Sequence, residues 1–354
     1  MSALRIHWCL PRGDGNTKAA ENDLPGELNM DGMVGFAQEA EELGIDSLLM
    51  GMGCHLPDPL PLLGALARET RRVTFILAYR PGLLPPTLFV QVANTVSWMA
   101  DGRLALNIVA GISPAEQAYY GDFLAHDGRY RRTDEFLTVL HRFWRGESPI
   151  SHEGEFYRIE KAALGLPYKR QERPRIYISG ASGPAQQTAV ALGDCWLRYG
   201  DTPSGIAAAS SSVLAAKRDV GIRMHVLARP TRAEALAEIE AMMSNPDEKH
   251  RKNIQQFAAN CDSEAVKTSF RLAEAATNDW LSPMLWTGAV AYRGGPAMCV
   301  TGSYQEVAEH LIEYKRAGVG EFIFSGWPTR AEMRRFAQHV LPLVRELERR
   351  ERDR

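Results

Sequence analysis

The stretch Gly221-Ile-Arg-Met-His225 puts an arginine and a histidine two residues apart in a run that otherwise reads as a buried strand. Successive strand side chains alternate between faces, so Arg223 and His225 look into the same space. A guanidinium in a low-dielectric interior needs an anionic or strongly dipolar partner, because leaving it unmet costs several kcal/mol. Two partners satisfy that need. One is a bound anion, which makes Arg223 and His225 a site; the other is a protein carboxylate, which makes them a structural ion pair with His225 as a hydrogen-bonded spacer.

A second constellation is Ser179-Gly180-Ala181-Ser182-Gly183-Pro184-Ala185, a turn of small residues that opens a helix. Backbone N–H groups at a helix N-terminus attract phosphate, and small side chains let it approach. A plain strand-to-helix turn uses the same residues. Asn107 closes a strand, where its amide can hydrogen-bond a flat heterocycle, and His126 and Tyr130 stand four apart at a helix start, on one face. That pair reads either as a cap or packing pair or as a contact to phosphate or ring. Other chemistries lack their residues: there is no Gly-x-Ser-x-Gly elbow, no His-Glu-x-x-His, no Walker lysine and no early Gly-x-Gly-x-x-Gly. For glycoside hydrolysis, strand ends offer few carboxylates beyond Asp58 and Asp201. Cys54, beside His55, reads as a small buried cysteine rather than a nucleophile.

These residues need a frame that gathers strand ends. Runs of β type occur near Leu4–Leu10, Ser47–Met50, Val73–Tyr79, Leu104–Val109, Arg175–Ser179, Cys195–Tyr199, Gly221–Leu227 and Glu321–Phe324. Helical periodicity lies between them, as in Asp31–Leu43, closed by Gly44. Strands that alternate with helices predict an α/β fold, a (β/α)8 TIM barrel; a doubly wound open sheet is the competing arrangement. Two stretches break the spacing. Residues 110–174 carry a helix and a hairpin that turns at Glu153-Gly154, and residues 244–302, with Asn245-Pro-Asp247 near their start, are expected to form a lid before the last strand. One domain is expected to span 1–354.

The chain of 354 residues carries 41 Lys and Arg against 43 Asp and Glu, a net charge of -2, which leaves no electrostatic footprint for nucleic acid or an anionic membrane surface. With 45% hydrophobic and 24% charged residues it is ordinary globular material. Its start lacks the order of a signal peptide and no long apolar run occurs, so a soluble, cytoplasmic protein is expected. The five cysteines are scattered and form no Cys-x-x-Cys, which disfavours disulfides and structural zinc.

Taken in order, His7 through Gly15, Ala78-Tyr-Arg-Pro81, Asn107 through Gly111, His126 through Tyr130, Glu153 through Tyr157, Tyr177 through Ser182, Gly221 through Val226, Arg293-Gly-Gly295 and Ser325-Gly-Trp-Pro328 resemble the bacterial-luciferase-like flavin monooxygenases, most closely the alkanesulfonate monooxygenase branch. The resemblance spans almost the whole chain. It implies a TIM barrel that takes reduced FMN from a separate NAD(P)H-dependent flavin reductase, forms a C4a-(hydro)peroxyflavin with O2 and oxygenates a small anionic substrate. For a sulfonate, sulfite and an aldehyde are released. It also implies self-association, as a dimer or tetramer. Carried over by position, Ala78, Asn107, His126, Tyr130, Ser179, Gly180, Ala181 and Ser182 would hold FMN, with the phosphate on the turn. Arg223, His225 and Arg293 would form the substrate site with Tyr199 and Trp327. The chain departs from the family pattern at four places: Leu56 stands where the family has a cysteine, Tyr199 where it has a tryptophan, and Trp327 and Thr329 where it has a tyrosine and a histidine. The anion-binding arginines are kept while the surroundings of the reacting carbon differ, which implies a substrate other than a simple alkanesulfonate. A deazaflavin-dependent oxidoreductase of the same barrel family and a non-catalytic flavin-binding protein are the alternatives.

Overall fold

The computed structural model describes residues 2–16, 28–170, 172–244 and 248–353. Eight parallel strands close on themselves: β1 Arg5–Cys9, β2 Ser47–Met50, β3 Thr74–Tyr79, β4 Leu104–Val109, β5 Arg175–Ser179, β6 Cys195–Tyr199, β7 Asp219–Arg229 and β8 Val319–Ser325. Closure is direct. β8 pairs with β7 on one side and with β1 on the other, and β6 pairs with β7, so no open sheet remains between them. The chain is therefore the (β/α)8 barrel that the alternation predicted.

Each strand is short, apolar and buried on both faces, as parallel strands under helices must be. Inward residues Leu49, Ile76, Ala105, Tyr177, Leu197 and Ile323 fill the barrel, which is a packed core rather than a pore. The surrounding helices start where the sequence supplies a cap followed by proline. Asp58 accepts from the Leu60 N–H ahead of Pro59–Arg68, Ser182 from the Ala185 N–H ahead of Gly183–Leu192, and Thr202 from the Gly205 N–H ahead of Pro203–Ala215. Thr231 and Ser303 form full capping boxes with Glu234 and Glu306.

Beneath the packed layers, at the amino ends of the strands, Glu321 is fully buried and receives hydrogen bonds from Arg5, Arg175 and the Tyr177 hydroxyl (2.7 Å), with His7 Nε2 at 3.0 Å. Burial would raise the Glu321 pKa, but His7, Arg175 and Arg5 outweigh it and hold the carboxyl well below the usual range.

The two expected insertions carry more structure than their sequence suggested. The first holds the helices Pro114–Tyr119 and His126–Trp144 and a separate hairpin, Ile150–Glu153 with Arg158–Ala162. The second holds helices Glu248–Asn260 and Glu264–Ala275, two short strands, Trp280–Ser282 and Leu285–Trp286, and an unforeseen parallel strand, Cys299–Ser303, on the carboxyl half of β7. That half explains why β7 runs to Arg229, past the expected end at Leu227. Asn245–Asp247 lie outside the described residues. No helix among the described residues is long and apolar enough to cross a membrane.

Candidate functional site

At the carboxyl mouth of the barrel lies a cavity of about 220 Å³. Strands β3 to β7 deliver Ala78, Asn107, Ser179, Tyr199 and Arg223 to its wall, and Tyr130 and Gly180 complete that set. The parallel register does this: Ala78 stands opposite Asn107, and Tyr199 opposite Arg223, so their side chains reach one level. A second cavity of about 360 Å³ adjoins it, lined by Cys9, Arg12 and His55, and shares Leu49, Gly51, Leu56 and Arg223 with the first. Arg223 thus stands on the wall between the two spaces.

The turn after β5 is tightly built. The Ser179 hydroxyl donates to Asn107 Oδ1 at 2.6 Å, which locks the Asn107 amide in one orientation. Gly180 has φ +141°, and a Cβ there would stand 2.6 Å from the Tyr130 hydroxyl and 2.8 Å from the Ala185 Cβ. Only glycine fits. Burial raises the Tyr130 pKa, so the phenol keeps its proton and can donate. The Ser182 hydroxyl accepts from the Ala185 N–H of its own helix and hydrogen-bonds the Tyr130 hydroxyl. Ser182 and Ala181 do not line the cavity, and neither does His126, whose ring packs against Tyr130 at 5.0 Å and meets Asp127 at 2.8 Å.

Among the described residues no carboxylate meets Arg223. The groups that act on its charge are the Cys9 thiol and the Tyr199 phenol, and its Nε has no hydrogen-bond partner. His225 is arranged differently. Its Nδ1 lies 2.9 Å from the Pro296 carbonyl oxygen, which can only accept, so Nδ1 carries the proton. Nε2 is then the acceptor for the Ser325 hydroxyl at 2.8 Å. The ring stacks on Trp327 with centroids 3.9 Å apart. Burial pushes the His225 pKa down to about 3 against the pull of the Pro296 carbonyl, and the charges of Arg223 and Arg293 add to the fall. The imidazole is neutral with both nitrogens engaged by the protein. Arg293 ends the short helix Val290–Arg293, three residues before Pro296, and lines neither cavity, as is also true of Trp327.

The segment before the last strand does reach the site: Ser263 and Ala265 line the first cavity. Arg129 holds them there. Its side chain, 1% exposed, donates to the Ala110 carbonyl (2.8 Å), the Leu124 carbonyl (2.8 Å) and Asp262 Oδ2 (2.7 Å). Sequence reading missed this arginine and two others, Arg80 and Arg198, which line the cavity itself. Arg80 pairs with Glu116 at 3.1 Å, and Glu116 also accepts from the Cys54 N–H. Cys54 is exposed rather than buried, and Leu56 lines the cavity in its vicinity. No group of three or more His, Cys, Asp or Glu able to hold a metal occurs among the described residues.

Residues 4–321 match the description of one protein family, luciferase-like monooxygenase. The chain belongs to that family. With membership comes the reaction class, flavin-dependent monooxygenation. Solved luciferase-like structures share the fold across nearly the whole chain. Long-chain alkane monooxygenase (LadA) is 17% identical, with 99% of this chain and 92% of that one covered and a TM-score of 0.78. EDTA monooxygenase (EmoA) from Chelativorans sp. BNC1 is 19% identical over 98% and 94%, with a TM-score of 0.77. DmoA from Hyphomicrobium sulfonivorans is 16% identical over 98% and 89%, with a TM-score of 0.78. At such identities the likeness is one of fold. The mouth of this luciferase-like barrel also fits a flavin on its own terms: small Ala78 and Gly180 leave room for a ring and a phosphate, and the Arg198 guanidinium is buried there with unpartnered nitrogens.

Proposed function

We propose that this chain oxygenates a small anionic substrate with reduced FMN supplied by a separate NAD(P)H-dependent flavin reductase, and that organosulfonates are the first class to try. One observation carries the anionic substrate: Arg223 stands between two adjoining cavities with no carboxylate among the described residues to neutralise it. A charge so placed is stabilised by a bound anion.

Reduced FMN supplies the two electrons that activate O2, so that one oxygen atom enters the substrate and the other leaves as water. Ala78, Asn107, Tyr130, Ser179 and Gly180 would hold it in the first cavity. Arg223 binds the substrate's anionic group with its planar fork, from a position that faces both spaces. Tyr199, opposite Arg223 in register, gives that guanidinium a polar neighbour and fixes the width of the pocket. His225 acts through Ser325: as a neutral acceptor it orients the serine hydroxyl, and through Pro296 and Trp327 it fastens the last insertion to the barrel mouth. Arg293, near enough to lower the His225 pKa, lies on that insertion and adds positive charge as it closes. The helices Glu248–Asn260 and Glu264–Ala275 serve as the lid that excludes water, without which the activated oxygen is lost as peroxide.

The test is a coupled assay of purified protein, a flavin reductase and NADH against a panel of sulfonates and other small anions, read as sulfite, oxygenated product and peroxide. Product formed in step with NADH supports the proposal. Peroxide alone across the panel, or stoichiometric flavin retention without turnover, overturns it. Tighter binding of a reduced deazaflavin than of reduced FMN would move the chain to hydride transfer.

A further inference from the structure

Arg198 is the feature of the mouth that neither the family pattern nor the roles above account for. It lies one residue before Tyr199 on β6, so strand alternation sends it to the outer face that carries Trp196, away from the barrel interior. Its guanidinium lies over the Trp196 ring at 5.0 Å, and the Trp196 indole N–H donates to the Gly180 carbonyl at 2.8 Å. This stack holds the guanidinium beside the turn that opens helix Gly183–Leu192. Arg198 lines the same cavity as Ser179, Gly180 and Tyr130.

The charge is not met by the protein. Arg198 is 8% exposed, and its Nε and Nη1 are inaccessible and have no hydrogen-bond partner among the described residues. Among the described residues the only carboxylate that approaches is Asp201, whose Oδ2 lies 3.9 Å from Nη2, beyond hydrogen-bond reach, while its Oδ1 is taken by the Thr202 N–H at 2.7 Å. Burial lowers the Arg198 pKa and Asp201 offsets only part of that. A buried guanidinium with two idle donors is costly unless an anion completes it. Its position, beside Ser179, the Tyr130 phenol and a glycine that admits no side chain, matches a phosphate in charge and geometry.

We propose that Arg198 reads the flavin phosphate, so that this chain selects FMN over riboflavin through a guanidinium on β6 as well as through the turn after β5. The inference rests on the flavin reading given under Proposed function. It makes Arg198 a cofactor-specificity residue: the turn positions the phosphate and the guanidinium neutralises it.

The experiment compares equilibrium affinities for reduced FMN and reduced riboflavin, titrated anaerobically by quenching of tryptophan fluorescence, in the wild type, Arg198→Met and Arg198→Lys, at low and high salt. Methionine keeps the packing against Trp196 and removes the charge. FMN affinity should fall roughly ten- to hundredfold in Arg198→Met with riboflavin affinity nearly unchanged, so the preference for FMN collapses along with its salt dependence. Lysine should retain part of the preference. Inorganic phosphate should compete with FMN, and not with riboflavin, in the wild type. Equal loss for both flavins in Arg198→Met would assign the residue to packing and overturn the inference, as would an undiminished preference for FMN. If Arg198→Met does not fold, the lysine variant and phosphate competition decide it: an unaltered preference with no competition overturns it. A wild type that binds neither flavin overturns the flavin reading itself, a result distinct from a wild type that prefers FMN and a variant that keeps that preference.

Discussion

Arg223 and His225 share a strand face but do different work, because their surroundings differ. Arg223 has an open wall and no carboxylate among the described residues, whereas both His225 nitrogens are held by Pro296 and Ser325. If Arg223 grips the substrate, Arg223→Ala should cost on the order of 2–3 kcal/mol of transition-state binding, or about a hundredfold in kcat/KM, while reduced-FMN affinity stays within a few-fold. Coupled turnover beside flavin titration reads both. Equal losses would place Arg223 in the cofactor site. Lysine at 223 should rescue poorly, since a point charge lacks the fork. His225 gives a pH signature. Its folded pKa, about 3, lies below the ordinary value of 6.5, so between these the unfolded chain binds a proton that the folded one refuses. Its contribution to stability is complete above about pH 6.5 and declines toward pH 3, by roughly 1.4 kcal/mol per pH unit. Carboxylates with lowered pKa values contribute little slope above about pH 5, and Asp134 and Glu332, whose pKa values burial raises, act in the opposite sense, so a loss of stability from pH 6.5 to 5 belongs to histidine. His225→Gln should flatten the Tm–pH profile there, with His141, pushed down to about 4 mainly by burial, and His310, also lowered mainly by burial, contributing to what remains.

At the scale of elements, the lid is joined to the barrel through one buried arginine. Arg129 takes Asp262 at 2.7 Å, and the Asp262 N–H donates to the Ile112 carbonyl, which brings Ser263 and Ala265 over the cavity. Asp262→Asn keeps an acceptor but leaves the Arg129 charge uncompensated in a buried setting. The expected outcome is faster amide exchange across residues 248–275 and more peroxide per NADH, with the barrel strands still protected. Unchanged exchange would show that other contacts hold the lid. This joint also marks where sequence reading ends. The eight barrel strands were legible because each carries buried β-branched, aromatic or other apolar residues between turns. That Asn107, Ser179, Gly180 and Arg223 line one mouth was legible because they sit at strand ends or on one strand face, whereas Tyr199 entered through the family resemblance. Cys299–Ser303 was not: its five residues lie between a glycine-proline turn and a helix cap, and its strand identity comes from pairing with the far half of β7. Arg198 was hidden by parity, since an outward residue reaches the cavity only where β6 ends beside a glycine. His126 opens the helix His126–Trp144 and meets Asp127, while Ala181 and Ser182, in the turn after β5, do not line the cavity and Ser182 caps a helix.

At the scale of the whole molecule the barrel separates chemistry from stability along its axis. Among the described residues the cations at the carboxyl mouth, Arg198 and Arg223, have a carboxylate only at 3.9 Å or none, while those at the amino end are closely charge-paired: Glu321 is shared by Arg5, Arg175, His7 and Tyr177, and Asp219 also takes Arg5 and Arg175. Several layers of packed side chains lie between. Glu321→Gln should therefore lower stability without touching the mouth. It leaves two arginines with one half-exposed carboxylate, and a buried pair broken on one side costs about 3 kcal/mol, seen as a drop of several degrees in Tm. Because the Glu321 pKa is held below the ordinary 4.5, its contribution is present above that pH and is lost as pH falls further, so wild-type and Glu321→Gln melting curves should converge in acid. FMN affinity should be the same in both proteins at neutral pH. A Glu321→Gln variant that melts like the wild type at pH 7 would mean that Asp219 alone neutralises the two arginines; one that loses flavin affinity would mean that the packed layers transmit strain from one end of the barrel to the other, and that stability and chemistry are not separable along its axis.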